Sequence, residues 1–281
     1  LLRRHEPVLF DLRPRFGGNA LGERWRDMPY SLGSAYVITP DPGTFLWRLY
    51  HRLGLHRVRR ESFPPDPVEL GGAIRTDFWS GGGMSPDEQI AFQRYADVVR
   101  FMADEGYPEI PLPDDAEGAA YVRELDTRNF REDLTARMGM DLSPLLNAGV
   151  QSYFYSSFGV GMEETSAAAG WNFVAAEEYG RWIFPGGNAY LAWALWQRLA
   201  RRSHAGRPLL RPGCRVVDVR TVGERVQVTW VDAADQVHSL RAKYVVMANS
   251  KHICKYMLPQ LEEQDPRKLQ AMHQIETMAY V

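Results

Sequence analysis

The sequence has few of the features that mark metal, disulfide or zinc-dependent proteins. Its 281 residues include two cysteines, Cys214 and Cys254, which lie far apart and without metal-type spacing. A disulfide framework is therefore not expected, and a reducing, cytoplasmic compartment is the default prediction. The seven histidines are scattered and none pairs at i, i+4. The sequence thus predicts no metal site, neither zinc nor non-haem iron.

Long apolar runs and a strong charge of either sign are also missing. No stretch approaches the roughly 18 apolar residues of a membrane span, so no transmembrane segment is expected. The formal net charge is -2, which gives no electrostatic case for nucleic acid or an anionic membrane. With 45% hydrophobic and 24% charged residues, the chain has the composition of an ordinary globular protein with room for two domains. The oligomeric state does not follow from these numbers.

A glycine-rich phosphate loop is missing as well, next to the most informative segment. In Val8–Gly18 an apolar run ends in Asp11, Arg15 follows four residues later, and Gly17 and Gly18 close the segment. This order suits the second strand of a dinucleotide-binding sheet, where the acid accepts hydrogen bonds from a ribose. A phosphate loop belongs about 20 residues before that acid.

The chain begins too late to hold such a loop, and both of its ends look internal. Leu1–His5 is typical of the last turn of a helix, and Met278–Val281 of the start of a strand. We therefore expect the chain to be truncated at both ends.

Local signals predict the remaining elements. Asp41 is a candidate N-cap for a helix that stops at Gly54, and Ser85 followed by Pro86 begins a mainly helical region that runs to about residue 180. The further predictions are helices over Ala119–Met138 and Pro144–Phe158, a helix from Gly186 to about Arg202, strands at Arg215–Val219, Val226–Trp230 and Val237–Leu240, and an apolar strand at Tyr244–Ala248 of the kind buried in parallel sheets.

The segment Asp11–Gly18 resembles the acid-x-x-x-Arg-x-Gly-Gly segment of FAD-dependent amine oxidases, phytoene desaturases and protoporphyrinogen oxidases. The family usually has Glu where this chain has Asp11, and often Arg where it has Asn19. An aspartate can still accept from a ribose hydroxyl, with a shorter reach.

Later segments match the same family in order. Leu32–Ala35 looks like its glycine-containing stretch beside the isoalloxazine ring, and Trp182–Asn188 resembles the Pro-x-Gly-Gly/Asn segment at the start of its returning helix. Val216–Val219, Val226–Val228 and Lys243–Ala248 resemble its strand, hairpin and closing apolar strand. The resemblance implies that FAD is held by Asp11, Arg15, Gly17, Gly18, Asn19, Gly33, Ser34, Ala35 and Val216, the last through its backbone near the adenine.

The resemblance also implies the architecture. The expected fold is α/β, with a discontinuous Rossmann-like FAD-binding sheet and an inserted, mainly helical substrate domain. The FAD-binding domain would comprise residues 1–60 and 182–255, and the substrate or cap domain residues 61–181 and 256–281. Segments between residues 125 and 171 resemble a bacterial branch of these flavoproteins.

Aromatic residues crowd the region from 153 to 184 and include Tyr153, Tyr155 and Trp171. They suggest a wall that holds a small amine-like or apolar substrate, and the alternative is an ordinary helical core. The predicted activity is transfer of a hydride from a C–N or C–C bond to the flavin. A family catalytic lysine would lie beyond Val281, so no catalytic residue is assigned. An NAD(P)-dependent dehydrogenase and a non-catalytic protein with this fold are the alternatives.

Overall fold

The computed structural model describes residues 5–62, 66–204 and 207–275. They form two compact units, one of Leu1–Ala35 with Gly186–Val281 and the other of Tyr36–Pro185. We call them the discontinuous unit and the inserted unit. Apart from His5, the helix end expected at Leu1–His5 and the strand expected at Met278–Val281 lie outside the described residues.

The strands are β1 Leu9–Phe10, β2 Gly22–Trp25, β3 Met28–Ser31, β4 Tyr36–Ile38, β5 Arg60–Ser62, β6 Val68–Leu70, β7 Ala73–Arg75, β8 Arg181–Ile183, β9 Ser203–His204, β10 Arg207–Pro208, β11 Leu210–Arg211, β12 Arg215–Val222, β13 Arg225–Val231 and β14 Val237–Ala242. The helices are α1 Phe45–Leu53, α2 Pro86–Asp104, α3 Ala116–Asp126, α4 Phe130–Met138, α5 Pro144–Phe158, α6 Ala167–Ala176, α7 Ala189–Leu199, α8 Lys251–Met257, α9 Leu261–Gln264 and α10 Pro266–Gln274.

The described residues of the discontinuous unit form four small sheets, two of which are the antiparallel pairs β2–β3 and β9–β10. β1 pairs in parallel with β11, and β12, β13 and β14 form an antiparallel meander that confirms the three predicted strands. The ring of Phe10 on β1 packs 4.7 Å from the ring of Trp230 on β13. The Arg211 guanidinium lies over both rings, at 5.6 and 5.1 Å, and so ties the parallel pair to the meander.

The predicted strand at Tyr244–Ala248 is wrong. This segment has no regular secondary structure, and Tyr244 and Val246 are 78% and 85% exposed. A strand needs a hydrogen-bonding neighbour, and no ladder reaches this segment within the described residues.

Helices dominate the inserted unit, as predicted. Ser85 caps α2 by accepting the N–H of Glu88, with Pro86 at the first helical position. The core lies among α2 to α6, and its largest fully buried side chains include Phe92, Phe130 and Phe154. The inserted unit also contains a small antiparallel sheet in the order β4–β8–β5.

Two predicted helix boundaries differ. The helix expected over Ala119–Met138 is two helices, because Asn129 and Glu132 form a capping box that starts α4 anew. α1 begins at Phe45 with Thr44 as its N-cap rather than Asp41, and ends at Gly54 as expected.

The described residues thus show a mixed α/β protein with one parallel strand pair, β1–β11. The doubly wound Rossmann arrangement stays a prediction. A search of the described helices finds none long and apolar enough to cross a bilayer.

Candidate functional site

The first part of the candidate site is the end of strand β1. Asp11 follows this strand directly, its N–H donates to the carbonyl of Arg211 at 3.1 Å, and its carbonyl accepts the N–H of Cys214 at 2.9 Å. The side chain is half-buried, and its Oδ1 accepts the N–H of Arg13 at 2.9 Å. An ionised carboxylate offers about four acceptor positions. Asp11 is therefore held in place by its backbone and keeps acceptor capacity for a ligand hydroxyl.

The second part is the glycine turn at Gly17 and Gly18, where φ is +133° and +57°. A Cβ on Gly17 would lie 3.0 Å from the Cβ of Ala192 in α7, whereas one on Gly18 would meet nothing within 4 Å in the described part of the chain. Gly17 thus allows close packing on α7, and Gly18 leaves open space beside the backbone.

The loop Ser31–Ala35 packs tightly against this turn. A Cβ on Gly33 would lie 2.1 Å from the carbonyl oxygen of Asn19, so this backbone approach requires glycine. The N–H of Leu32 donates to the carbonyl of Leu21 at 3.0 Å, which fixes the loop alongside the turn. The side chains of Asn19, Ser34 and Ala35 are exposed.

The start of α7 completes the arrangement. Asn188 donates its side-chain amide to Ser34 Oγ at 2.6 Å and its backbone N–H to the Ser34 carbonyl at 2.9 Å. A Cβ on Gly187 would lie 2.7 Å from the Cβ of Ser31. Because Ala192 meets Gly17, the first two turns of α7 touch both the loop and the glycine turn.

The arginine that contacts the glycine turn is Arg13, and the cofactor contact of Arg15 stays a prediction. Arg15 is exposed, whereas Arg13 donates from Nη1 to the carbonyl of Gly18 at 3.1 Å. Arg13 therefore links the acid to the glycine turn. The sequence signal that could have identified Arg13 is its position two residues after Asp11, because an aspartate side chain commonly accepts the backbone N–H at that position.

Val216 lies on β12, a short distance along the chain from the Asp11 contacts. The N–H of Gly213 donates to the carbonyl of Arg13 at 3.0 Å, and Cys214 contacts Asp11 as above. Val216 then pairs with Trp230, just before an irregularity in the register at Asp218. The chain thus runs from β11, the parallel partner of β1, through Gly213 and Cys214 into the strand that carries Val216.

The three aromatic residues predicted to contact substrate lie in the inserted unit and differ in exposure. The structure contradicts the prediction for Trp171, which is fully buried, packs 4.8 Å from the Phe130 ring and donates to Asp133 Oδ2 at 2.8 Å. It belongs to the helical core, the alternative reading of these aromatics. Tyr155 is 54% exposed and Tyr153 is half-buried on the same helix, α5, and both stay predictions.

A buried charge cluster in the inserted unit was missed by the sequence reasoning. Arg181 forms two 2.9 Å hydrogen bonds with Asp66 and a 3.3 Å ion pair with Glu177, and Tyr36 donates to Glu177 at 2.6 Å. Glu177 and Arg181 are nearly fully buried. The sequence signal that could have identified this pair is the opposite charge of Glu177 and Arg181 at i, i+4 spacing.

The pKa values of two tyrosines in the inserted unit, Tyr36 and Tyr153, are raised. Burial, followed by the hydrogen bond to Glu177, raises the pKa of Tyr36 to about 12. Burial and then the Glu177 charge also raise the pKa of Tyr153. Both hydroxyls are therefore hydrogen-bond donors at neutral pH, and neither is a ready proton acceptor.

Across residues 5–62, 66–204 and 207–275, no group of three or more histidine, cysteine, aspartate or glutamate side chains could hold an ion. Cys214 and Cys254 are buried free thiols.

Solved structures share the fold of this chain. It superimposes on putrescine oxidase, in an A394C variant from a redesign of cofactor binding, with a TM-score of 0.65, 15% identity and 95% of this chain covered. It also superimposes on a CLA-producing fatty acid isomerase from P. acnes, with a TM-score of 0.61, 10% identity and 93% coverage. In each case the chain spans 57% of the other protein's length. No protein-family model and no curated protein matches the sequence.

Proposed function

We propose that this chain is part of an FAD-dependent oxidoreductase of the amine oxidase, phytoene desaturase and protoporphyrinogen oxidase superfamily. The observation that carries the proposal is the convergence of Asp11, the glycine turn, the Gly33 loop and the start of α7 in one unit. The shared fold with putrescine oxidase and the fatty acid isomerase supports it.

The residues present fit the cofactor. Asp11 stands at the carboxyl end of a parallel strand with acceptor capacity for ribose hydroxyls, as dinucleotide sites require. Gly18 leaves the backbone open to close approach. Gly33, Ser34 and Ala35 offer backbone polar groups for a flavin ring, Arg15 and Asn19 offer exposed polar side chains, and the backbone at Val216 would meet the adenine.

Bound FAD would supply the redox chemistry by accepting a hydride from a carbon of a C–N or C–C bond, which would lose a proton from the adjacent atom and become C=N or C=C. The protein would bind and orient the small-molecule substrate and exclude water. The proposed roles remain an FAD-binding domain over residues 1–60 and 182–255 and a substrate domain over residues 61–181 and 256–281. The compact units that would carry these roles divide at Ala35 and Gly186, so residues 36–60 lie in the inserted unit and residues 256–281 in the discontinuous unit. Tyr153 and Tyr155, with hydroxyl groups on aromatic rings, are our candidates for contact with an amine-like or apolar substrate.

The proposal is tested by replacing Asp11 in the full-length protein. Asp11→Ala removes a half-buried acceptor, a loss of about 1–3 kcal/mol, which weakens FAD binding by roughly 5- to 150-fold. Asp11→Asn retains one carbonyl acceptor and is expected to bind FAD with intermediate affinity. Asp27→Ala is the matched control, since Asp27 is an exposed acid in the same unit.

Flavin fluorescence and absorbance near about 370 and 450 nm give the readout. Equal FAD affinity in the Asp11→Ala and Asp27→Ala proteins contradicts the assignment of the site. A colourless full-length protein that binds NAD overturns the cofactor and favours the dehydrogenase alternative. A yellow protein that no amine, polyene or porphyrinogen bleaches favours a binding protein that keeps the fold.

A further inference from the structure

Helix α1 carries an apolar stripe that the described protein does not cover. The helix faces the interior through Tyr50, which is 6% exposed. Phe45 and Leu46 are 68% and 50% exposed, and Leu49 and Leu53 are half-exposed. At 100° per residue these four side chains fall within a sector about 100° wide. On the same wheel Tyr50 lies about 40° beyond Leu46, so the stripe is the solvent-exposed edge of the apolar face that Tyr50 anchors.

Exposed arginines border this stripe. Arg48 and Arg52 lie on the adjoining sector of α1, and Arg57 and Arg60 follow shortly after the helix. From Asp41 to Ser62 the chain has five arginines and two acids, although its overall net charge is -2. The positive charge is thus local and sits beside the exposed apolar side chains.

We propose that α1 docks on an anionic lipid surface, with Phe45 and Leu46 in the interfacial region and Arg48 and Arg52 at the lipid phosphates. A helix with apolar side chains next to basic ones binds anionic bilayers by burying the former and pairing the latter. Charge also argues against a second copy of this chain as the occupant, since a two-fold interface on α1 would bring like-charged arginines together.

The interaction is expected to be weak, reversible and sensitive to salt. α1 has nine residues, so only a short apolar stripe can enter the interface. Exposed charges are screened over roughly 10 Å at 0.1 M salt. Binding should therefore fall steeply as salt is raised, and vesicles without anionic lipid should not bind the protein.

The test is flotation of the full-length protein with vesicles of phosphatidylcholine alone or of phosphatidylcholine mixed with phosphatidylglycerol. Arg48→Gln with Arg52→Gln should lower the partition coefficient by about fivefold per arginine, the equivalent of ~1 kcal/mol each. Phe45→Ser with Leu46→Ser should lower it by about tenfold or more.

Matched substitutions elsewhere on the chain provide the controls. Ile74→Ser and Val237→Ser replace side chains that are 76% and 71% exposed, and Arg94→Gln with Arg123→Gln removes two exposed arginines. These proteins should float like the unmodified protein.

Three results would overturn the proposal. The first is no flotation with anionic vesicles, and the second is an equal loss in the control variants. The third is concentration-dependent dimerisation that Phe45→Ser with Leu46→Ser abolishes, which would assign the stripe to a second copy. FAD affinity is measured separately and does not depend on α1, so this proposal can fail while the cofactor assignment stands.

Discussion

At the scale of single residues, the candidate site depends on places where only glycine fits. Gly33 is the clearest example, because a Cβ there would lie 2.1 Å from the fixed carbonyl oxygen of Asn19. Gly18 also has an unusual conformation, with φ of +57°, but its Cβ would enter open space. Gly33 is therefore required for steric reasons, whereas Gly18 is required for its backbone conformation.

Gly33→Ala is expected to lower the free energy of unfolding by about 1–3 kcal/mol, because the backbone must move apart to admit the methyl group. Gly18→Ala should cost roughly 1 kcal/mol, the cost of left-handed backbone without a clash. Urea unfolding of both variants checks the order. Equal costs would mean that the loop relaxes freely around Asn19.

The Tyr36 hydroxyl gives a prediction for alkaline pH. Its pKa is raised to about 12 in the folded protein from 10.0, so folding favours the protonated form. The stability that it contributes is complete below pH 10 and is lost as pH rises towards 12. Tyr36→Phe lacks this group, and should be less stable than the parent near pH 8 because Glu177 loses a donor.

The difference in unfolding free energy between the parent and Tyr36→Phe should therefore narrow between pH 10 and 12. Chemical denaturation at several pH values measures it. Tyr50→Phe serves as a control, since burial raises the pKa of Tyr50 without a carboxylate partner. A constant difference across this range would show that folding does not raise the pKa of Tyr36.

The sequence predicted single residues correctly where residue type and spacing define the local structure. It did not predict contacts that depend on the backbone conformation or on distant packing partners. Asp11 follows a strand, and the Gly17–Gly18 pair forms a turn, as the pattern indicated. The contact of Arg13 with Gly18 depends on the turn that Asp11 makes with the backbone, which spacing alone does not define. The burial of Trp171 is set by its packing on Phe130, a partner 41 positions away.

At the scale of elements, Glu88 joins two helices rather than closing its own capping box. Ser85 caps α2, but the Glu88 carboxylate accepts from Ser143 Oγ and from the N–H of Leu145 at 3.2 Å, at the start of α5. A negative charge in this position also interacts favourably with the amino-terminal end of α5. One side chain thus aligns the first turns of α2 and α5.

Glu88→Ala is expected to destabilise the protein by about 1–3 kcal/mol, because two donors at α5 lose a charged acceptor. Asp87→Ala, its exposed neighbour in the first turn of α2, should cost no more than about 1 kcal/mol. Thermal unfolding of both variants gives the comparison. A loss of similar size in both would reduce Glu88 to an ordinary first-turn acid.

Element prediction followed the strength of local signals. The Ser85–Pro86 start and the Gly54 stop are fixed by capping and were found correctly. The start of α4 also had a local signal, the Asn129–Glu132 box, which the apolar periodicity concealed. Tyr244–Ala248 has the composition of a strand, but pairing is a property of a neighbouring chain segment and cannot be read from the segment itself.

At the scale of the whole molecule, the inserted unit is continuous in sequence and holds a core of its own. Its buried cluster is drawn from Phe78 to Ala175. We expect a fragment of residues 36–185 to be helical by circular dichroism and to unfold cooperatively. A non-cooperative transition with exposed apolar surface would show that the core needs the discontinuous unit.

The mixed α/β class that the family resemblance implied agrees with the structure, and the helical region and the three-strand meander also have separate periodicities in the sequence. The exact boundaries between the two units could not be inferred from the sequence. The predicted boundaries at residues 60 and 182 coincide with changes in composition, whereas the compact units divide at Ala35 and Gly186. The short sheet β4–β8–β5 explains the difference, since it assigns Tyr36–Ser62 to the inserted unit through pairing with distant Arg181–Ile183.

The same sheet places the two ends of the insertion side by side. Tyr36, the first residue of the inserted unit, pairs with Ile183, close to its last. Paired residues on antiparallel strands have Cα atoms about 4.5–5.5 Å apart. The inserted unit of 150 residues therefore begins and ends at neighbouring points, as a short hairpin loop does. Because neighbouring chain ends favour domain insertion, we expect that another domain with similarly spaced ends could replace this unit, while the backbone contacts of Asp11 remain.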